Sequence, residues 1–296
     1  MTDILPEDGA HLTERTRSYL ALAGEDRILQ NWSSIWIGHD SAQKVQARLD
    51  MMLKTPPSAR PKNLLIYGES NVGKSTILER WAKATNAAAV SSLDAETPDA
   101  MGDWAYLPVV QVQTPPKGDE GWLYDNILRA MGFPLPVSYS PAAKCRTVLK
   151  LLANNQTKVV ILDEFHNALS GRFDQRLHFN VVIKNLTNEA GIPLVVAGID
   201  TVDLVFRKED QLHRRFSRIK LEAWDDNADW RKLLRSFERL IPLKRPSFLG
   251  QPEMATTLYE ASCGRIGDLS DVLREAALVA VSSGEERITP DMIQAL

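Results

Sequence analysis

Apolar residues run through this chain in two rhythms. Between residues 63 and 222, short apolar runs alternate with stretches in which apolar positions return every three or four residues. The runs 63–67, 107–113, 158–163, 193–198 and 217–222 predict strands; the periods 74–84, 121–131, 141–153, 174–189 and 201–213 predict helices. Strands joined through helices lie parallel, because a parallel neighbour is reached only by a crossover, and such strands are apolar on both faces. The expected class is therefore α/β, a parallel sheet flanked by helices.

Beyond Trp224 the strand-like runs stop. Helical periods occupy 227–240, 252–262, 266–282 and 289–296, and Pro252 and Pro290 stand near the first turn of the second and the last, where a missing N–H costs nothing. Ahead of the first strand, 41–53 reads as a helix with Val45, Leu49, Met52 and Leu53 on one face, closed by Thr55-Pro56-Pro57-Ser58. The expected organisation is an N-terminal helical extension over 1–55, an α/β core over 56–225 and a small all-helical lid over 226–296.

Composition narrows this little. A chain of 296 residues that is 44% hydrophobic supports one large or two modest cores. A net charge of -3 means that any polyanion site is a local patch. Cys145 and Cys263 lie far apart, without metal-binding spacing, which suits a reducing compartment. The opening MTDILPEDGAHLTER has no basic segment followed by an apolar one, and no run approaches the ~18 apolar residues a spanning helix needs. A cytoplasmic protein that does not contact a membrane is expected.

The chemistry is concentrated in two places. Gly68-Glu69-Ser70-Asn71-Val72-Gly73-Lys74-Ser75 fits GxxxxGK[ST], with an apolar run before it and, through Thr76, a helix after it. Glycines let backbone N–H groups close around a phosphate chain and the helix start adds its positive dipole end. Lys74 reaches the β and γ oxygens of ATP, and Ser75 is placed to ligate Mg²⁺. The run Val159-Val160-Ile161-Leu162 ends in Asp163 and Glu164. Asp163 reads as the acid on the metal side and Glu164 as the general base for water.

With these motifs in hand the sequence resembles the AAA+ ATPases, and within them the TniB/TnsC group of transposition ATPases. The resemblance runs from Trp36-Ile37-Gly38 through NLLIYGESNVGKST, ILDEFHNALSG, Asn185-Leu186-Thr187-Asn188-Glu189, IPLVVAGID and DQLHRRF to GRIGDLSDVLREAA. It implies that Asp200, at the end of the strand 193–198, lies in the sensor 1 region; a cap on the following helix is the other role open to it. It places Arg215 at the arginine-finger position, acting across a subunit boundary, with Arg214 as alternative and an ordinary solvated basic face over 207–220 as the rival reading. Trp36 and Ile37 fall where such proteins abut the adenine, and Trp36 can equally be core filler. At the sensor 2 position the pattern is broken: Gly267 and Asp268 stand where an arginine is expected, so either Arg265 or Arg274 substitutes or the lid reports nucleotide state weakly.

The resemblance further implies a homo-oligomer, ring or helical filament, that binds double-stranded DNA without sequence preference, together with a DDE-type transposase and a TniQ-like targeting protein. Lys117, after the strand 107–113, and Ser140 and Lys144, at the helix 141–153, are the candidate backbone contacts, with plain solvent exposure as the rival reading of each. The alternative function is a helicase-loader or initiator-like AAA+ scaffold acting mainly on a protein partner.

Overall fold

The computed structural model describes residues 8–91, 106–134 and 139–296. Residues 1–7, on which part of the reading of the amino terminus rests, lie outside these. The described residues form two compact units: one from those within 41–69 and 74–221, the other from 8–40, 70–73 and 222–296.

In chain order, α1 (Glu14–Ser18) and α2 (Asp26–Trp32) precede α3 (Asp40–Lys54); then come β1 (Asn63–Tyr67), α4 (Lys74–Ser91), β2 (Val109–Gln113), α5 (Glu120–Ala130), α6 (Pro141–Asn154), β3 (Val159–Asp163), α7 (Phe173–Ala190), β4 (Leu194–Gly198), α8 (Asp200–Lys208), α9 (Asp210–Arg215) and β5 (Phe216–Lys220). The remaining helices are α10 (Ala228–Glu238), α11 (Pro252–Ser262), α12 (Ile266–Ser282) and α13 (Pro290–Gln294).

The first unit holds a five-stranded parallel sheet in the order β2-β3-β4-β1-β5. The three central strands, β3, β4 and β1, are buried along their whole length, which is why their sequences are continuous apolar runs rather than alternating ones. Ile161, Val195 and Leu65 are inaccessible to solvent, and truncating Ile161 or Leu65 to alanine is expected to cost about 2–5 kcal/mol. β2 starts at Val109, two residues later than the periodicity suggests. Pro108 has no N–H to give and only its carbonyl takes part, accepting from Lys158 and Val159.

One predicted helix is corrected. The period 201–213 forms two helices, α8 and α9, separated at Glu209, which has extended backbone (φ -100°, ψ 97°). Phe206 and Leu212 are both buried, yet on one straight helix they would lie about 120° apart. The break lets both reach the core.

The second unit is helical. Trp230, Leu233 and Phe237 of α10, Leu258 of α11, Leu269, Leu273 and Ala277 of α12 and Ile293 of α13 share one core with Ile28 of α2. Arg27, also on α2, is buried against Glu286 at 2.5 Å, and Asn31 donates to the Leu240 carbonyl at 2.6 Å.

Candidate active site

In an open parallel sheet, ligands bind beyond the carboxyl ends of the strands. Here β1 runs into Gly68, β3 ends at Asp163, and β4, which lies between them, leads to Asp200. Three adjacent strands thus deliver the candidate residues to one edge of the sheet.

Gly68 is required there. Its φ is 152°, and a Cβ at this position would sit 2.0 Å from the Leu221 carbonyl oxygen, while the Leu221 N–H donates to Tyr67 O at 2.7 Å. Any side chain would prise the loop off the end of β5. Asn71 (φ 62°) and Gly73 (φ 91°) are also left-handed, so the loop curls back before α4 begins at Lys74. The Lys74 ammonium is buried and donates to the carbonyls of Gly68 (3.0 Å) and Glu69 (2.6 Å). Burial pushes Lys74 below the usual lysine range, while the nearby Glu164, Asp163 and Asp200 carboxylates pull it back up. One cation therefore senses all three acids.

Asp163 is buried. Its Oδ1 accepts the Glu164 N–H at 2.8 Å and its carbonyl accepts both the N–H and the hydroxyl of Thr114, each at 2.8 Å. Glu164 adopts left-handed backbone (φ 53°, ψ 41°), a conformation that costs a residue with a Cβ about 1–3 kcal/mol. The turn ends β3 abruptly, starts the 3-10 segment 165–170, and separates two acids that are adjacent in sequence. Glu164 Oε2 lies 3.2 Å from His166 Nε2. His166 carries no role in the sequence reading; DEFHN shows it two residues away, and only the left-handed turn brings it onto the carboxylate.

Asp200 is the first residue of α8, and Ile199 occupies the cap position without a side-chain bond. The capping role considered for Asp200 is thereby replaced by one in the first turn. There its charge reaches Lys74 and suits the helix dipole.

Arg215 closes α9. One guanidinium nitrogen, NH1, donates to Asn188 Oδ1 on α7 at 2.8 Å. Nearby, buried Asp203 pairs with Arg207 (2.6 Å) and Arg218 (2.9 Å), and Arg218 NH2 meets His213 Nδ1 at 2.9 Å.

Among the DNA candidates, Lys117 is exposed in a left-handed turn (φ 59°). Ser140 caps α6, its hydroxyl accepting from the Ala143 N–H, and Lys144 is ion-paired with Asp125 at 2.6 Å. Two of the three are thus engaged internally.

In the helical unit, Ile37 packs on the core, Trp36 is half-buried, and His39 meets Trp224 edge-to-face at 5.3 Å. The anomaly at the sensor 2 position has a structural counterpart within the same unit. The Gly267 N–H donates to Asn71 O at 2.8 Å, and Asn71 Nδ2 donates to Asp268 Oδ1 at 2.6 Å. A Cβ on Gly267 would lie 2.9 Å from that same Asn71 oxygen. Gly267 and Asp268 thus hold the loop residue Asn71. Arg265 pairs with Asp268 at 2.5 Å, and Arg274 with Asp271 and Glu275, so both arginines have acid partners.

A phosphate chain fits this cradle: two glycines with positive φ, a helix start and a desolvated lysine surround it. For Mg²⁺ the chain offers the Ser75 hydroxyl and the Asp163 carboxylate, and among the described residues there is no cluster of three or more His, Cys, Asp or Glu side chains. Mg²⁺ characteristically takes one or two protein oxygens and completes its shell with phosphate and water.

A protein-family model described as Bacterial TniB protein matches residues 27–226. No curated protein matches the chain. Among solved structures, similarity extends to Drosophila ORC bound to DNA (TM-score 0.59, 14% identity, 100% of this chain and 67% of that one). It extends also to Aeropyrum pernix ORC1 in complex with DNA (0.61, 17%, 86% and 63%) and to Cdc6p from Pyrobaculum aerophilum (0.62, 14%, 89% and 68%). The chain spans about two thirds of the length of these structures, and the likeness establishes the fold: an AAA+ P-loop core with a helical part.

Proposed function

We propose that this chain, which belongs to the TniB family, is a Mg²⁺-dependent ATPase that assembles on duplex DNA and serves a separate transposase. The observation that carries the ATPase reading is Lys74, buried and desolvated, within reach of Glu164, Asp163 and Asp200 at the ends of three adjacent strands. Mg²⁺ bound by Ser75 and Asp163 would supply charge compensation to the phosphates. Lys74 exchanges the carbonyls of Gly68 and Glu69 for phosphate oxygens. Glu164, oriented by His166, takes a proton from water as the oxygen attacks the γ phosphorus and the bridging P–O bond breaks, releasing ADP and phosphate. Arg215 completes the site of an adjacent copy, where its charge stabilises the transferring phosphoryl group.

The DNA part draws support from the family and from two structural relatives described as bound to DNA. Of the three candidates Lys117 is exposed, and the other two are weaker contacts because Lys144 already faces Asp125 and Ser140 caps α6. Each subunit would add few phosphate contacts. Strong binding then comes from polymerisation, where every added subunit acts at high effective concentration. The pairing of Lys144 and the capping work of Ser140 also favour a second reading, an initiator-like scaffold acting on a protein partner with DNA incidental.

Fluorescence anisotropy with labelled duplexes of unrelated sequence separates the two. Expected is ATP-dependent, sequence-indifferent binding that falls steeply with salt, with a shallower slope for Lys117→Ala and little change for Lys144→Ala. Absence of duplex binding at low salt, with ATP and with transposase and targeting protein present, would replace the DNA reading by the scaffold.

A further inference from the structure

Arg215 carries a long, flexible side chain, and a group that must act on another copy gains nothing from charge alone if its position wanders. Two sets of contacts limit that wandering. The backbone around Arg215 is fixed from α8: Asp203 pairs with Arg218 two residues into β5, Arg218 reaches back to His213 on α9, and the rings of Phe206 and Phe216 meet edge-on at 4.8 Å. The guanidinium is held from a different element, by Asn188 Oδ1 at 2.8 Å. Asn188 is itself well anchored. It stands in the last turn of α7, whose Val182, Ile183, Leu186 and Thr187 are buried and whose end is closed by Gly191 in left-handed conformation, with the Gly191 N–H on Thr187 O.

We propose that Asn188 is the positioning residue of Arg215, an amide that aims the guanidinium while leaving its charge intact; the inference rests on the reading of Arg215 as a group acting in trans. The chemistry of the partner matters here. A guanidinium has five N–H donors, and the bond to Asn188 uses one. The amide oxygen carries no net charge, so the arginine keeps its full attraction for a phosphate. An aspartate at the same place would make the charge-assisted, frequently bidentate pair that arginine forms with carboxylates. It would hold the side chain in the same direction and retain it there.

This gives an ordering that a structural role does not. If Asn188 merely supported the fold, the near-isosteric Asn188→Asp would be milder than Asn188→Ala. If it positions a cation for use elsewhere, Asn188→Asp is the worse variant, because it neutralises and traps Arg215, whereas Asn188→Ala only loosens it.

The test is steady-state phosphate release by full-length protein with duplex DNA, comparing Asn188→Ala, Asn188→Asp and Arg215→Ala, alongside nucleotide affinity and melting temperature for each. Expected are a loss in kcat of about tenfold for Asn188→Ala and about a hundredfold for Asn188→Asp, the scale on which misplacement of a reacting group is felt. ATP affinity and melting temperature should stay close to wild type in both. Mixing Asn188→Asp with Glu164→Gln should restore turnover, since Glu164→Gln subunits contribute a correctly aimed arginine to sites with an intact base. Loss with Arg215→Ala but wild-type turnover with Asn188→Asp would overturn the positioning role alone. So would an order in which Asn188→Ala is the worse, or losses that track melting temperature. Wild-type turnover by Arg215→Ala would overturn the trans reading and this inference together.

Discussion

At the carboxyl ends of β1, β4 and β3, charged groups are drawn together by strands buried along their whole length, whereas Arg215 stands at the start of an edge strand, β5, whose residues are mostly half-exposed. The first region is electrically self-sufficient. Lys74 loses hydration and is compensated by Glu164, Asp163 and Asp200, all from its own chain. At the second, acids are also present, but Asp203 is taken up by Arg207 and Arg218 and Arg215 is met by a neutral amide. A guanidinium held without neutralisation is suited to an anion that its own neighbourhood does not supply. The difference teaches where each reading is to be tested: the phosphate cradle within one chain and, on the trans reading, the arginine in an assembly.

The sharpest way to break this contrast is Arg215→Ala. On the trans reading it lowers hydrolysis by about a thousandfold, the lower end of what a supplied arginine contributes, with ATP binding retained. Mixing it with Glu164→Gln should recover activity at interfaces that combine an intact base with an intact arginine. If mixed assemblies shown to contain both variants stay inactive, Arg215 does not act across subunits.

Next in size is the base. Glu164→Gln is expected to bind ATP and to hydrolyse it at least about a hundredfold more slowly, whereas Lys74→Ala weakens binding itself; phosphate release and equilibrium nucleotide binding measure the two. Turnover near wild type in Glu164→Gln would remove the base from the self-sufficient region. A smaller loss of about tenfold, a fraction of the base's own contribution, is expected for His166→Ala, since Glu164 retains its left-handed turn but loses the imidazole 3.2 Å from its carboxylate.

The smallest effect is one of pH. Burial holds Lys74 below the ordinary lysine value of 10.5. The unfolded chain therefore binds the proton more tightly than the folded one, and Lys74's contribution to stability rises with pH from the lowered folded value towards 10.5. Phosphate reverses the shift by favouring the charged form. ATP binding should then take up a proton on the alkaline side and weaken as pH rises through the lowered value. Calorimetry in buffers of different ionisation enthalpy reads the uptake directly, and Lys74→Arg should abolish it. Uptake unchanged in Lys74→Arg would assign the proton to another group.

Long periodic segments were legible in the sequence almost to the residue: 63–67 is β1, and 252–262 and 266–282 are α11 and α12. Their apolar periods satisfy local preference and burial together, so nothing in the tertiary structure opposes them. The glycine turn after β1 and the acidic end of β3 were equally readable as local structure, because glycines with positive φ and an acid at a strand end are local requirements. The split of 201–213 at Glu209 was not, since it answers to the burial of Phe206 and Leu212 rather than to any helix-breaking residue.

What the sequence alone determined is thus the strands, the long helices, the glycine turn after β1 and the identity of the chemical groups, all of which depend on residues within a few positions of one another. The tertiary structure decided which groups meet. It placed β4 between β1 and β3, so that Asp200 senses Lys74; it turned Glu164 left-handed, so that His166 faces its carboxylate; and it set Asn188 against Arg215 across two helices and a strand. It also gave a use to Gly267 and Asp268, an oddity when compared with a motif and a clamp on Asn71 once folded. These are contacts between distant positions, made when strand order and helix packing close the loops between them, and a periodicity confined to each segment carries no record of that choice.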